Sequence, residues 1–162
     1  MKTPLRRRVA LAALALLIPA VAACGFNEQT DEVYQPATGV DNRSSEVYVL
    51  NALIVSAQGG SGTFIASLVN ENQTTPDKMI SISGPAITGG TEKVVIGADT
   101  LVNLANDKPI TVTGAGVKAG NFVRLTLAFT NAQQVDVNVP VVANTGDYAG
   151  ITVVPSKFAP AQ

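Results

Sequence analysis

Histidine and tryptophan are absent from this 162-residue chain, cysteine occurs once, methionine twice, and aromatic residues make up only 5%. Each scarcity removes a class of chemistry. Without histidine there is no imidazole base, so neither a Ser-His-Asp triad nor a Cys-His pair can be assembled. One cysteine allows no disulfide within the chain, so the domain must hold together by core packing alone. Charge is sparse as well, at 14% of residues. Four of the 11 basic residues, Lys2, Arg6, Arg7 and Arg8, crowd the extreme amino end.

What is present begins at that end. A cationic head, MKTPLRRR, precedes the apolar run VALAALALLIPA and then small residues, which is the layout of a signal peptide. A bilayer span needs about 20 apolar residues, more than the 15 between Val9 and Ala23, so removal is expected rather than retention as an anchor. Val21-Ala22-Ala23-Cys24 resembles the lipobox of bacterial lipoproteins. That resemblance implies cleavage between Ala23 and Cys24 and a diacylglyceryl group on the Cys24 thiol. The alternatives are an ordinary secreted protein with a stray thiol and an uncleaved anchor. Two acyl chains hold a protein firmly on a membrane where one holds it only marginally. Arg6-Arg7-Arg8 reads as a generic positive head for the Sec route.

Removing residues 1–23 leaves 7 basic against 12 acidic residues, a net charge near −5. Such a surface offers nothing to nucleic acid. Residues 24–45 carry Gly, Pro, Asn, Asp and Ser without apolar periodicity and read as a lipidated cysteine followed by a flexible tether. Val33-Tyr34 is the one pair in it able to dock on the domain.

From Glu46 the pattern changes to a period of two. EVYVLNALIVS alternates through Val47, Val49, Leu53 and Val55, and GTFIASLVN places Phe64, Ala66 and Leu68 on one face. In VDVNVPVV, Val135, Val137, Val139 and Val141 point one way while Asp136, Asn138 and Pro140 point the other. Alternation of this kind marks strands with one dry and one wet face. Further strands are expected at 79–83, 93–96, 100–104, 110–113 and 122–130. Turn signals separate them: AQGGSG, NENQTTPD, TGG, NDKP, GAGVKAG and NAQQ. No stretch beyond residue 23 repeats apolar residues at helical spacing. The expectation is an all-β, antiparallel β-sandwich of about 7–9 strands over residues 46–150. Residues 151–162 read as a C-terminal tail, with an edge strand at its start, 151–154.

The segment VKAGNFVRLTLAFTNAQQVDVNVPVV, residues 117–142, resembles the last hairpin of the PCu(A)C periplasmic copper chaperones, whose turn K-x-G-(D/N) precedes the strands L-T-L-x-F and V-x-V-x-V-P-V. EVYVLNALI and FIASLVNENQTTPDKMISISGPA resemble that family's first strands. With the lipobox, the linker VYQPATGVDNRS and the Ala/Pro tail, the whole chain is similar to the LpqE-like lipoproteins of actinobacteria. The resemblance implies a cupredoxin-like, immunoglobulin-like sandwich.

The copper chaperones bind Cu(I) through histidine and methionine, soft donors that suit a soft ion. Where their His-x-Met cluster stands, this chain reads KPITVTGAG, residues 108–116. Where another His and Met are expected, it reads ITGGTEKVVIGAD, residues 87–99. Neither stretch holds a soft ligand. Beyond the leader only Met79 remains, and its position opening a strand marks it as core. Copper is therefore not expected as a ligand, and no cofactor is.

Asp77, Glu92, Asp99, Asp107, Asp136 and Asp147 could in principle supply a catalytic carboxylate pair, yet most stand beside turn residues. GAGVKAG lacks dinucleotide-fingerprint spacing, and a strand follows it. What remains is a non-catalytic module on the outer face of the cytoplasmic membrane, binding or regulating another envelope protein through loops or a free sheet edge. Gln58, Gly59, Gly60 and Lys118, in the two glycine-rich loops, are the candidate interaction residues. The alternative is a degenerate copper chaperone or another metal-handling protein.

Overall fold

The structure is a computed structural model that describes residues 38–88, 90 and 93–153; Ala23, Cys24 and the Val33-Tyr34 pair lie outside the described residues. Nine strands account for most of the fold: β1 (Val40–Asn42), β2 (Val47–Gln58), β3 (Ser61–Asn70), β4 (Asp77–Ser83), β5 (Val94–Ile96), β6 (Leu101–Asn103), β7 (Ile110–Thr113), β8 (Phe122–Phe129) and β9 (Val135–Ala143). A single helical turn, α1 (Leu104–Asp107), and a 3-10 turn at Gly146–Tyr148 complete the elements. No helix among the described residues is long and apolar enough to cross a membrane.

The strand order β5-β4-β8-β9-β2-β3-β6 runs through both layers, with β1 on the flank of β2 and β7 on the flank of β3. All neighbours pair antiparallel except β2 and β9, which run parallel from Ile54↔Val141 to Ser56↔Ala143. This contact joins the two layers, so the sandwich is closed along one side and barrel-like. Closure also removes two sheet edges that would otherwise stay unpaired. The all-β sandwich expected from the alternation is the one observed, with one parallel pair in place of a wholly antiparallel arrangement.

The core follows the alternation. On β8, Val123, Leu125, Leu127 and Phe129 face inward, and on β9 Val135, Val137, Val139 and Val141 meet them. Phe64, Ala66 and Leu68 of β3 complete the opposite wall. Each buried aliphatic or aromatic side chain here contributes about 1.5–3 kcal/mol relative to exposure. Met79 lies within this core at 0% exposure, so its thioether is packing, not a surface ligand.

Four expectations need correction. In β2 the inward residues are Val47, Val49, Ala52 and Ile54; Leu53 and Val55 belong to a separate apolar cluster with Ile65. The reason is a bulge: the β2–β3 register shifts between Leu50 and Leu53, and Asn51 adopts φ 50°. One extra residue reverses every later side chain. Secondly, residues 38–45 are part of the fold rather than free tether, because β1 pairs with β2 through Val40↔Ala52 and Asn42↔Val49. Thirdly, residues 151–153 form no strand; Ile151 and Val153 instead pack on the Leu53, Val55, Ile65 cluster together with Tyr148. Fourthly, the strand expected over 100–104 ends at Asn103, whose side chain caps α1 by accepting from Ala105 N at 3.0 Å.

Candidate functional site

The antiparallel run of β2 into β3 gives the fold two ends. At one end lies the two-residue turn between Gln58 and Ser61, which pair across it. Gly60 takes φ 89°, a conformation that only glycine adopts without strain, whereas a side chain at Gly59 would meet nothing within 4 Å. Gly60 N donates to Val117 O at 2.7 Å, and Gly114 N donates to Gly60 O at 3.0 Å. The turn is thus fastened to the loop of residues 114–121. Val117 plugs into the core, and Lys118 stands exposed beside it. The structure therefore brings Gln58, Gly59, Gly60 and Lys118 to one end of the sandwich.

Phe122 opens β8 directly after that loop and is 65% exposed. The sequence reading passed over it. The signal was available, since in FVRLTLAF Phe122 shares the outward parity of Arg124 and Thr126.

The same end contains the point where the two stretches in which the resemblance places metal ligands touch; β5, further along residues 87–99, runs away from it to pair with Asp77–Met79. At that point Thr88 N donates to Thr113 O at 2.6 Å, and Thr113 N donates to Thr88 O at 3.3 Å. The side chains at the junction are therefore hydroxyls, hard oxygen donors with little affinity for a soft cation. No group of three His, Cys, Asp or Glu residues is placed to hold a metal among the described residues.

The carboxylates are dispersed. Asp99 occupies a turn at φ 50°, Asp107 Oδ2 accepts from Asn103 N at 3.2 Å, and Asp136 Oδ1 accepts from Thr126 Oγ1 at 2.6 Å. Asp147 lies in the 3-10 turn, and Glu92 is outside the described residues. Asp77 alone is buried, at 6% exposure. Its Oδ1 accepts from Lys78 N, Thr130 N and Asn131 N, and its Oδ2 from Ala132 N. Burial pushes this carboxyl up, but the N–H groups of Ala132, Lys78, Asn131 and Thr130 together outweigh burial and hold it below the ordinary aspartate value of 3.8. Asp77 is a fastener for the β8–β9 turn, not a proton donor.

That turn borders a cleft of about 690 Å³ at the other end of the sandwich, lined by Arg43, Glu46, Tyr48, Glu71, Asn131 and Gln133 among others. Arg43 lies over the Tyr48 ring, 5.7 Å from its centroid.

No protein-family model matches the chain, and no curated protein matches it. Solved structures do. The chain is similar to a copper-bound PCuAC domain from PmoF2, with TM-score 0.53 and 14% identity over 64% of this chain and 98% of that one. It is also similar to an apo PCuAC domain from PmoF1, with TM-score 0.52 and 18% identity over 64% and 99% of the two chains. An apo PmoF2 PCuAC domain gives TM-score 0.50 and 12% identity over 67% and 96%. At these identities the similarity establishes the fold: a cupredoxin-like β domain of the PCuAC type.

Proposed function

We propose that this chain is an LpqE-like lipoprotein of the cell envelope, in which a PCuAC-type fold serves as a non-catalytic protein-binding or regulatory module. In this reading the chain is exported, cut between Ala23 and Cys24, and anchored by lipid on Cys24 to the outer face of the cytoplasmic membrane. Its partner is another exported protein such as a cell-wall enzyme or assembly factor. The observation that carries the reading is the junction of Thr88 with Thr113, hydroxyls at the place where the resemblance puts soft donors, while Met79 is sealed in the core. A fold kept without the soft donors of the copper chaperones leaves its surface as the functional element. The end formed by Gln58, Gly59, Gly60, Lys118 and Phe122 offers an exposed aromatic beside a cation and a glycine turn fastened by backbone hydrogen bonds, a combination suited to protein contact.

A second reading, a degenerate copper chaperone completed by a partner, draws on the likeness to the copper-bound domain. Titration of the purified protein with Cu(I) against a chromophoric chelator separates the two. Submicromolar one-to-one binding overturns the first reading. Photo-crosslinkers placed at Gln58 and at Lys118 in the native envelope are expected to capture one shared partner, and Cys24→Ala is expected to abolish both lipid labelling and the crosslink.

A further inference from the structure

The cleft at the end opposite Gln58 and Lys118 has fixed walls and, among its lining, four side chains that are not engaged: Glu46, Tyr48 by its hydroxyl, Glu71 and Gln133. On one wall, the Asn70 side chain, 1% exposed, donates to Thr75 O and Gly97 O and accepts from Asn72 N. Asn72 Oδ1 accepts in turn from Thr74 N and Thr75 N. On the other wall, Asp77 gathers the N–H groups of Thr130, Asn131 and Ala132. Glu71 N donates to Glu46 O at 3.0 Å, and Ser45 Oγ to Gln133 O at 3.0 Å, which ties the two walls to the bend of residues 45–46 between them. The backbone around the cleft is thus largely spent on itself.

The side chains facing the space are different. The carboxylates of Glu46 and Glu71, the Tyr48 hydroxyl and the Gln133 amide enter no hydrogen bond or ion pair within the described residues, and Arg43, which lies over the Tyr48 ring, pairs with Asp41 at 3.9 Å. We propose that this cleft binds a short neutral glycan. Its size falls within the ~300–1,000 Å³ of small-ligand sites, and its rigid walls reduce the ordering cost of binding. Mixed acceptors, donors and a phenol match an array of hydroxyl groups, each of which both donates and accepts. Other ligand classes fit less well. Two carboxylates disfavour an anion, Arg43 disfavours a cation, and Ala132 with the Tyr48 ring supplies too little apolar lining for a hydrophobic group. An extended peptide would need free backbone partners, and these are taken.

The test uses the full-length protein in detergent micelles, labelled with nitrogen-15, titrated separately with chitotriose, maltotriose and trilysine. Saturable shifts at the amides of residues 45–48, 71–72 and 131–133 are expected with a trisaccharide, while residues 58–60 and 114–120 stay unmoved. Glu71→Ala and Gln133→Ala, both at exposed positions, are each expected to weaken binding about fivefold, the loss of one hydrogen bond. Absence of shifts at millimolar sugar, shifts that both variants leave unchanged, or shifts with trilysine alone would overturn the proposal. None of these outcomes bears on partner capture at Lys118, because the two sites stand at opposite ends of the fold.

Discussion

Asp77 is the only acid among the described residues that the fold buries, and its four backbone donors decide the sign of its contribution. Its folded-state pKa lies below the ordinary 3.8, so the unfolded chain binds the proton more readily. The stabilisation is fully present above the unfolded value and is lost as pH falls through the folded one. Asp77→Asn keeps the side-chain shape but removes the charge and one acceptor. At neutral pH the variant is expected to lose about 1–3 kcal/mol, and its stability should fall less steeply than that of the parent below pH 3.8. Urea melts at neutral pH and at successively lower values check both; parallel acid limbs would refute the assignment. Gly62 makes a different demand, that of space. A Cβ there would stand 2.6 Å from Ile54 Cγ2, 2.8 Å from Val55 O and 3.0 Å from Val117 Cγ1. The carbonyl belongs to the paired backbone of β2 and cannot withdraw, so Gly62→Ala should cost about 1–3 kcal/mol, read as a lowered urea midpoint at unchanged slope.

Elements with unbroken alternation were legible in the sequence, and those shaped by a single special residue were not. β8 and β9 could be read off FVRLTLAF and VDVNVPVV because every inward residue is apolar while Arg124, Thr126, Asp136 and Asn138 mark the outward parity, the pattern of a half-buried strand. β2 could be located but not oriented. The bulge at Asn51 depends on φ 50°, a state that asparagine reaches more easily than most residues, and on two partners distant in sequence. Asp41 Oδ1 accepts from Asn51 N at 2.7 Å, and Asn51 Oδ1 accepts from Gly39 N at 3.1 Å. Neither partner can be identified before β1 is placed. β1 itself, with only Val40 apolar among Val40–Asn42, carries no periodic signal and is fixed by its pairing to β2. The bulge is directly testable. Asn51→Val places a β-branched residue at positive φ and removes the bond to Gly39, and should cost about 2 kcal/mol. A stability equal to the parent's would mean that β2 needs no bulge. The candidate interaction end was legible as loops, because glycines mark turns wherever they occur. The cleft was not, since its lining comes from β1's exit, β2, the β3–β4 loop and the β8–β9 turn, which only the closed topology assembles.

At the scale of the whole molecule, the β2 bulge creates a need that the chain's last described residues meet. By turning Leu53 and Val55 away from the main core, it places two fully buried aliphatics, each at 0% exposure, beside Ile65 on the outer face of the sheet. An uncovered apolar face of this kind would invite association. Tyr148, Ile151 and Val153, with Ala105 and Val142, close over it. Few polar contacts hold this strap: Thr63 Oγ1 donates to Thr152 O at 2.7 Å, and Asn144 Nδ2 to Ile151 O at 3.0 Å. Asn144 Oδ1 is buried without a partner, a cost that the apolar contacts must exceed. Ending the chain after residue 145 should therefore remove the cover and leave the nine strands in place. The expected signature is a β-sheet circular dichroism spectrum close to the parent's, increased binding of a hydrophobic dye, and a loss of about 2–4 kcal/mol in urea. If dye binding and urea midpoint both stay at the parent's values, the strap is an adornment and the outer aliphatics are covered by the strand neighbours alone.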